Sequence, residues 1–460
     1  MTISVEWTAR GQAEAVRRRD ISARELLELH LARIAERNPE LNAIVSLDEE
    51  RARDGARAAD KHLASGEPTG PLHGLPFAVK DTHAAAGWRT TYGSPLFADH
   101  IPAYDDLIVE RIRRAGVVLL GKTNVPEFAA GSHTFNTVFG TTRNPHDSTR
   151  SAGGSSGGAA TALAAGMVPL ADGSDMGGSL RNPASFCGVV GLRPSLGRVP
   201  TWPTGNLWET TSVGGPMART VDDLALLLSV IAGPDPRTPL ALGDPGRAFA
   251  PPVTGSLAGL RVAFSIDLGG AITVDDEVAA VTEEAGRHFA RGGARVASAW
   301  PDLSLGDDTF RTLRAWHFQA SYAAQLADHP EAFKQSLADN IRLGADLTGA
   351  DVARAFEQRT VLVETMRAFF TEHDVLVLPV SQVPPFPADQ EFPTEINGEP
   401  MASYLDWMRS AYLITVTGCP AISVPAGTTP DGLPVGVQVV APHGADRRLL
   451  EVAAAFANTG

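Results

Sequence analysis

The feature that most constrains this chain is the clustering of its glycines. Two dense runs stand out, Ala152-Gly-Gly-Ser155-Ser156-Gly-Gly-Ala159 and Gly173-Ser-Asp175-Met176-Gly177-Gly178-Ser179. Glycine carries no Cβ, so such runs reach backbone conformations closed to other residues and let other segments approach closely. Successive unobstructed N–H groups can then converge on one point as an anion-binding nest. Both runs hold serines among the glycines. Each can therefore set a hydroxyl beside bare backbone donors, the arrangement that stabilises an oxyanion. Alone, either run also suits a tight turn before a helix, and the Ala-rich segment 159–165 follows the first directly.

The surrounding texture is that of an α/β chain. Ser22-Ala-Arg-Glu25 has the form of a capping box, with Leu27, Leu31 and Ile34 following at helical spacing until Pro39, where the helix is expected to stop. Ser46-Leu-Asp-Glu49 repeats the pattern and opens a second, polar helix ending near Gly66. From about Pro71, short apolar runs such as 77–79 and 117–120 alternate with helical segments, which argues for strands covered by helices. Later, 261–265 and 375–380 read as strands, 275–291 as a helix and 309–343 as a long helical region broken near Pro330. Segments 421–425 and 434–440 flank a Pro-Asp-Gly turn as a hairpin. The Pro/Gly-rich segment 233–254 is a candidate linker, but the same strand style continues on both sides, which favours a surface loop within one domain.

Composition removes whole classes of function. The 460 residues carry a net charge of −14, which repels phosphate backbones and anionic lipid and argues against nucleic-acid and membrane partners. Cys187 and Cys419 are the only cysteines, too few for a disulfide framework or a four-cysteine zinc site. The opening MTISVEWTARGQAEAVRRRD lacks a signal-peptide apolar core, and no run approaches the ~20 apolar residues of a membrane span. A soluble, cytoplasmic protein is expected.

Two motif matches fail on physical grounds. Gly116-Val-Val-Leu-Leu-Gly121-Lys122-Thr123 fits the P-loop pattern, yet its variable positions are strand-like and Pro126 interrupts the required helix. Gly154-Ser-Ser156-Gly-Gly158 fits a nucleophile elbow, but the polar, proline-containing 144–150 before it is no buried strand. A Ser-His-Asp esterase is thus an alternative without a histidine to anchor it.

The third chemical element is Gly74-Leu-Pro-Phe-Ala-Val-Lys80-Asp81, a lysine closing an apolar strand. Burial disfavours its charged form. Lowering its pKa to ~7.5 costs that form roughly 4 kcal/mol and leaves a general base at neutral pH. The bland alternative is a snorkelling lysine paired with Asp81 or another carboxylate. The conjunction favours chemistry, because Lys80, Ser155 and Ser179 lie 75 and 24 residues apart along the chain.

On these motifs and separations the chain resembles the amidase signature family, and the resemblance extends through Gly121-Lys-Thr-Asn-Val-Pro-Glu-Phe128 to Gly436-Val-Gln438. It implies one large α/β domain with a central, mostly mixed twisted sheet covered by helices on both faces. N-terminal helices (about 9–65) would pack on a catalytic core (about 71–460). It also implies Ser179 as nucleophile, Ser155 as a bridging serine after a cis peptide bond and Lys80 as base. The backbone N–H groups of Met176, Gly177 and Gly178 would form the oxyanion hole, with Ser156 as a further partner of Lys80 and Asp175 and Arg181 as braces. The implied enzyme is a cofactor-free, metal-free amidase acting on a small amide or carbamate, as a monomer or homodimer. A related role, as one component of a glutamine-dependent amidotransferase (its A subunit), is disfavoured by Pro200-Thr-Trp202-Pro203, which stands where that component carries a Ser-Arg-Tyr-Gly-like segment. Trp202 and Trp208 are candidates for a pocket mouth. Phe318, Tyr322 and Leu326 share a helix face, with Trp316 offset, and read first as core. If they line the site, aryl esters, anilides and urethanes become expected substrates.

Overall fold

The computed structural model describes residues 3–459. Eight strands form one mixed sheet in the spatial order Arg295–Ser298, Arg261–Phe264, Val375–Pro379, Pro434–Val440, Ala421–Thr428, Val190–Arg193, Val213–Ala218, Leu170–Asp175. The first three run parallel, and the helix Asp276–Arg291 connects two of them. The remaining neighbours are antiparallel. The Ala421–Thr428 and Pro434–Val440 pair is the expected hairpin. A three-stranded sheet places Val118–Thr123 between Ile44–Val45 and Pro76–Lys80. The fold is a single mixed α/β domain with helices flanking the large sheet.

One hydrophobic cluster runs from the N-terminal helices (Val16, Leu26, Leu27) through Phe77 and Val79 to the sheet residues Val437 and Val439. The two sheets and the N-terminal helices therefore share a core. Pro76–Lys80 and Val118–Thr123 are buried along their whole length, as expected for strands covered on both faces. The segment 116–123 is thus a strand with an unexposed lysine, not a phosphate loop.

Two local expectations are corrected. The helix capped by Ser22, Ala23–Leu41, runs through Pro39. Proline there sits in the last turn, so only one bond is lost, and Asn42 closes the helix in a left-handed conformation. Its capping box is present, with Ser22 Oγ accepting from Glu25 N–H at 3.1 Å. The next helix, Glu49–Ser65, is capped by Asp48, not Ser46; Asp48 Oδ1 accepts from Arg51 N–H at 3.0 Å. Pairing of Ile44–Val45 with Val118–Thr123 holds the preceding residues extended, and Ser46 turns the chain at φ 50°. The segment 233–254 is pinned to the body: Arg111 donates to the Gly233 and Pro234 carbonyls, and Leu242 N–H donates to Gly197 O. It is a surface loop.

Candidate active site

The strand Pro76–Lys80 delivers Lys80 with 0% exposure. Its backbone N–H donates to Asp172 Oδ1 at 3.0 Å. Its Nζ lies 2.8 Å from Ser155 Oγ, 2.8 Å from Ser156 Oγ and 3.0 Å from Ser174 Oγ. Desolvation lowers its pKa from 10.5 to about 7, against the opposing pull of Asp172 and Asp175. Among the described residues, no carboxylate is hydrogen-bonded to Nζ. Asp81, the bland alternative partner, instead accepts from Thr91 N–H and faces Lys122 at 3.9 Å.

The Gly154–Ser155 peptide bond is cis. Ser132 Oγ donates to the Gly154 carbonyl at 2.6 Å, and Thr134 Oγ1 donates to the Gly153 carbonyl at 2.8 Å. Thr134 Oγ1 also accepts from Gly157 N–H at 3.2 Å. These two hydroxyls shape the serine loop, and sequence reasoning did not find them. Ser156 opens the helix Gly157–Ala164, and its N–H donates to the Ser179 carbonyl at 3.1 Å, joining the two glycine runs. A Cβ at Gly158 would lie 2.3 Å from Asn124 N and 2.7 Å from Ala43 O, so only glycine lets this helix approach.

The second glycine run leaves the edge strand Leu170–Asp175. Arg181 holds Asp175 through Nε at 3.0 Å and Nη2 at 2.8 Å, a bidentate pair. Burial would raise the Asp175 carboxyl, but Arg181, Arg193 and the Gly178 N–H hold it well below the usual carboxylate range. Arg181 also donates to Ala411 O and Gln438 Oε1, tying the loop to the helix Arg409–Thr415 and the strand Pro434–Val440. Gly178 has φ +109°, and a Cβ there would lie 2.7 Å from Ala411 Cβ. Its N–H, expected to face an oxyanion, instead donates to Asp175 Oδ1 at 2.9 Å. The N–H groups of Met176, Gly177 and Ser179 have no protein acceptor among the described residues. Ser179 is 6% exposed. Its hydroxyl and that of Ser155 are not hydrogen-bonded to each other in the described structure; catalytic contacts commonly tighten only when substrate is bound.

A cleft reaches this cluster from one side. Its outer chamber, about 500 Å³, and inner chamber, about 260 Å³, share Thr82, Tyr92, Asp106 and Tyr322. The inner one touches Ser174, the hydroxyl beside Lys80. Trp202 lines the inner chamber; Trp208 lines neither and is 64% exposed. Phe318 and Leu326 pack in a core cluster with Phe128 and Ile341, while Tyr322 turns to the cleft. Trp316 contacts Phe356 edge-on at 6.2 Å.

No histidine is hydrogen-bonded to Ser155, Ser156 or Ser179 among the described residues. A Ser151–His133 contact of 2.7 Å is present, but the other ring nitrogen of His133 meets the Ala388 carbonyl instead of a carboxylate. Cys187 and Cys419 are buried and unpaired, with thiols pushed up to about 12 and about 11 by burial. Among the described residues, no group of three His, Cys, Asp or Glu side chains is arranged to hold a metal ion. No helix there is long and apolar enough to cross a membrane.

The site thus combines a buried lysine among three serine hydroxyls with a glycine-rich loop whose Met176, Gly177 and Ser179 N–H groups have no protein acceptor among the described residues. The amidase family model matches residues 25–450. The acylamidase of Rhodococcus erythropolis is 37% identical over 98% of this chain and 95% of its own. The A subunit of the glutamyl-tRNA(Gln) amidotransferase of Synechococcus sp. strain CC9605 is also 37% identical, over 94% of this chain and 92% of its own. A bacterial aryl acylamidase of the amidase signature family superposes with a TM-score of 0.91 at 31% identity, covering 99% and 96% of the two chains. The chain belongs to the amidase signature family. It is an amidase, an enzyme that hydrolyses amide C–N bonds.

Proposed function

We propose that amide cleavage proceeds through an acyl-enzyme on Ser179, with Lys80 as base and Ser155 as the hydroxyl between them. The observation that carries this reading is Lys80 itself: unexposed, shifted to about 7, and 2.8 Å from Ser155 Oγ. Such an amine is substantially neutral at physiological pH and can accept a proton. Ser155 gives its proton to Lys80 while taking that of Ser179, and Ser179 Oγ bonds to the substrate carbonyl carbon. The Ser155–Ser179 contact closes on substrate binding. The N–H groups of Met176, Gly177 and Ser179 hold the oxyanion, and Gly178 shapes the loop through Asp175. Collapse breaks the C–N bond, and the proton returns along the relay to the departing amine. Water, deprotonated through the same relay, then attacks the ester, releasing the acid and regenerating the Ser179 hydroxyl.

A fluorophosphonate probe followed by peptide mapping tests the assignment. A single adduct on Ser179, absent in Ser179→Ala, is expected; an adduct on another residue overturns it. Anilides, aryl esters and urethanes offer the same carbonyl to the same nucleophile and are the proposed side substrates. The enzyme works alone in the cytoplasm, as a monomer or homodimer. The reading as an amidotransferase component keeps one observation in its favour, the 37% identity to such a component. Recovery of stoichiometric partner proteins in a pull-down of the full chain would replace the free-standing reading with it.

A further inference from the structure

The inner chamber is walled by aromatic rings and closed by one carboxyl group. Tyr92, Phe128, Trp202 and Tyr322 all line it, and the Phe128 and Tyr322 rings lie 4.5 Å apart. Asp106 lines both chambers where they meet. Its Oδ2 accepts from Ala84 N–H at 3.0 Å, while Oδ1 has no hydrogen-bond partner among the described residues. Neither chamber is lined by a lysine or an arginine. The second carboxylate of the cleft, Glu209 at the outer wall, accepts through both oxygens from the Thr211 and Ser212 N–H groups.

The cations behind these walls are accounted for. Lys122 is buried and donates to His83 O and Thr90 Oγ1. The His83 ring, which does face the inner chamber, is paired with Asp172. His317, at the outer wall, is pushed toward its neutral form by burial. Arg237 stacks on Trp202 at 4.5 Å, and its charge is matched by Asp235 and Glu110. Aromatic faces with a carboxylate attract quaternary and primary ammonium groups by quadrupole and charge together. A chain of net charge −14 also draws cations toward its clefts.

Resting on the amidase reading, we propose that the inner chamber is an ammonium-binding subsite in which Asp106 and the four aromatic rings select amides carrying a positively charged group. Asp106 is thus a specificity-determining residue that touches the substrate's cation and not its carbonyl. The matching anionic amide is excluded, since its carboxylate would face Asp106 with no lysine or arginine on the lining to receive it.

The test uses ligands that are not turned over, so it does not depend on Ser179. Binding of (4-aminophenyl)trimethylammonium and of its neutral isostere 4-tert-butylaniline to the full-length wild-type chain is measured by calorimetry at pH 8. Burial pushes the Asp106 carboxyl up, and an alkaline buffer keeps it ionised. The cation is expected to bind about tenfold tighter or more. In Asp106→Asn the ratio of the two affinities is expected to collapse toward one. Equal or weaker binding of the cation to wild type overturns the proposal. So does an Asp106→Asn variant that weakens both ligands alike and keeps their ratio, because that is the signature of a structural residue. The amidase reading fails separately, if fluorophosphonate labelling leaves Ser179 unmodified.

Discussion

Lys80 and Lys122 occupy neighbouring parallel strands, with Lys80 in register with Thr123 and Val79 with Lys122. Both have 0% exposure, and desolvation lowers both, to about 7 and about 8. Their partners differ. Lys80 meets three serine hydroxyls and no hydrogen-bonded carboxylate among the described residues. Lys122 donates to a main-chain carbonyl and a threonine, with Asp81 at 3.9 Å. The hydroxyls around Lys80 include Ser155, which can pass a proton onward, whereas the one hydroxyl beside Lys122, Thr90 Oγ1, donates to the Trp88 carbonyl and leads to no further donor. On the proposed mechanism burial alone does not make a lysine reactive; the neighbours decide whether it serves as a base or a strut.

The comparison can be broken in several ways. Ser179→Ala removes the proposed nucleophile, and kcat is expected to fall on the order of 10⁴–10⁶-fold with unchanged circular dichroism. Lys80→Met is expected to lower kcat about 10²–10⁴-fold while leaving the urea midpoint at or above that of wild type. Lys122→Met should do the reverse, costing about 3 kcal/mol by leaving Asp81 buried without its cation. If Lys122→Met proves catalytically dead and Lys80→Met merely unstable, the distinction between base and strut is wrong.

Acidity sharpens the same contrast. The base form of Lys80 exists above its folded pKa, so kcat/KM should rise with pH through about 7, and Lys122→Met should leave that inflection in place. For stability, the folded values lie below the unfolded value of 10.5. Between about 7 and 10.5 the unfolded chain therefore binds more protons. These two groups then make folding more favourable as pH rises through that window. Urea titrations of wild type and the two methionine variants at several pH values would show the slope falling in each. The smallest effect belongs to the exposed aromatic: Trp208→Ala should change KM by less than about twofold, whereas Trp202→Ala should raise it.

The parts of the site legible before folding are those whose demands are local or whose spacing is rigid. A lysine ending an apolar strand and serines between glycines are properties of short segments, and the structure brings Lys80, Ser155 and Ser156 together as those segments suggest. Even so, local patterns failed where a partner segment intervened. Pairing with Val118–Thr123 moved the second cap from Ser46 to Asp48, and Asp175 captured the Gly178 N–H that the glycine run alone would offer to an oxyanion.

From its own order of residues the chain determined the α/β alternation, the glycine positions that no side chain can occupy, and a lysine whose strand would bury it. Tertiary structure alone decided which oxygens surround that lysine and what lines the cleft. Ser132 and Thr134 reach the serine loop from one segment and Ser174 reaches Lys80 from another, and the inner chamber draws Tyr92, Asp106, Trp202 and Tyr322 from distant parts of the chain. A conformational preference is carried by a few adjacent residues, but the field at a buried amine is the sum of groups that only packing brings within a few ångströms.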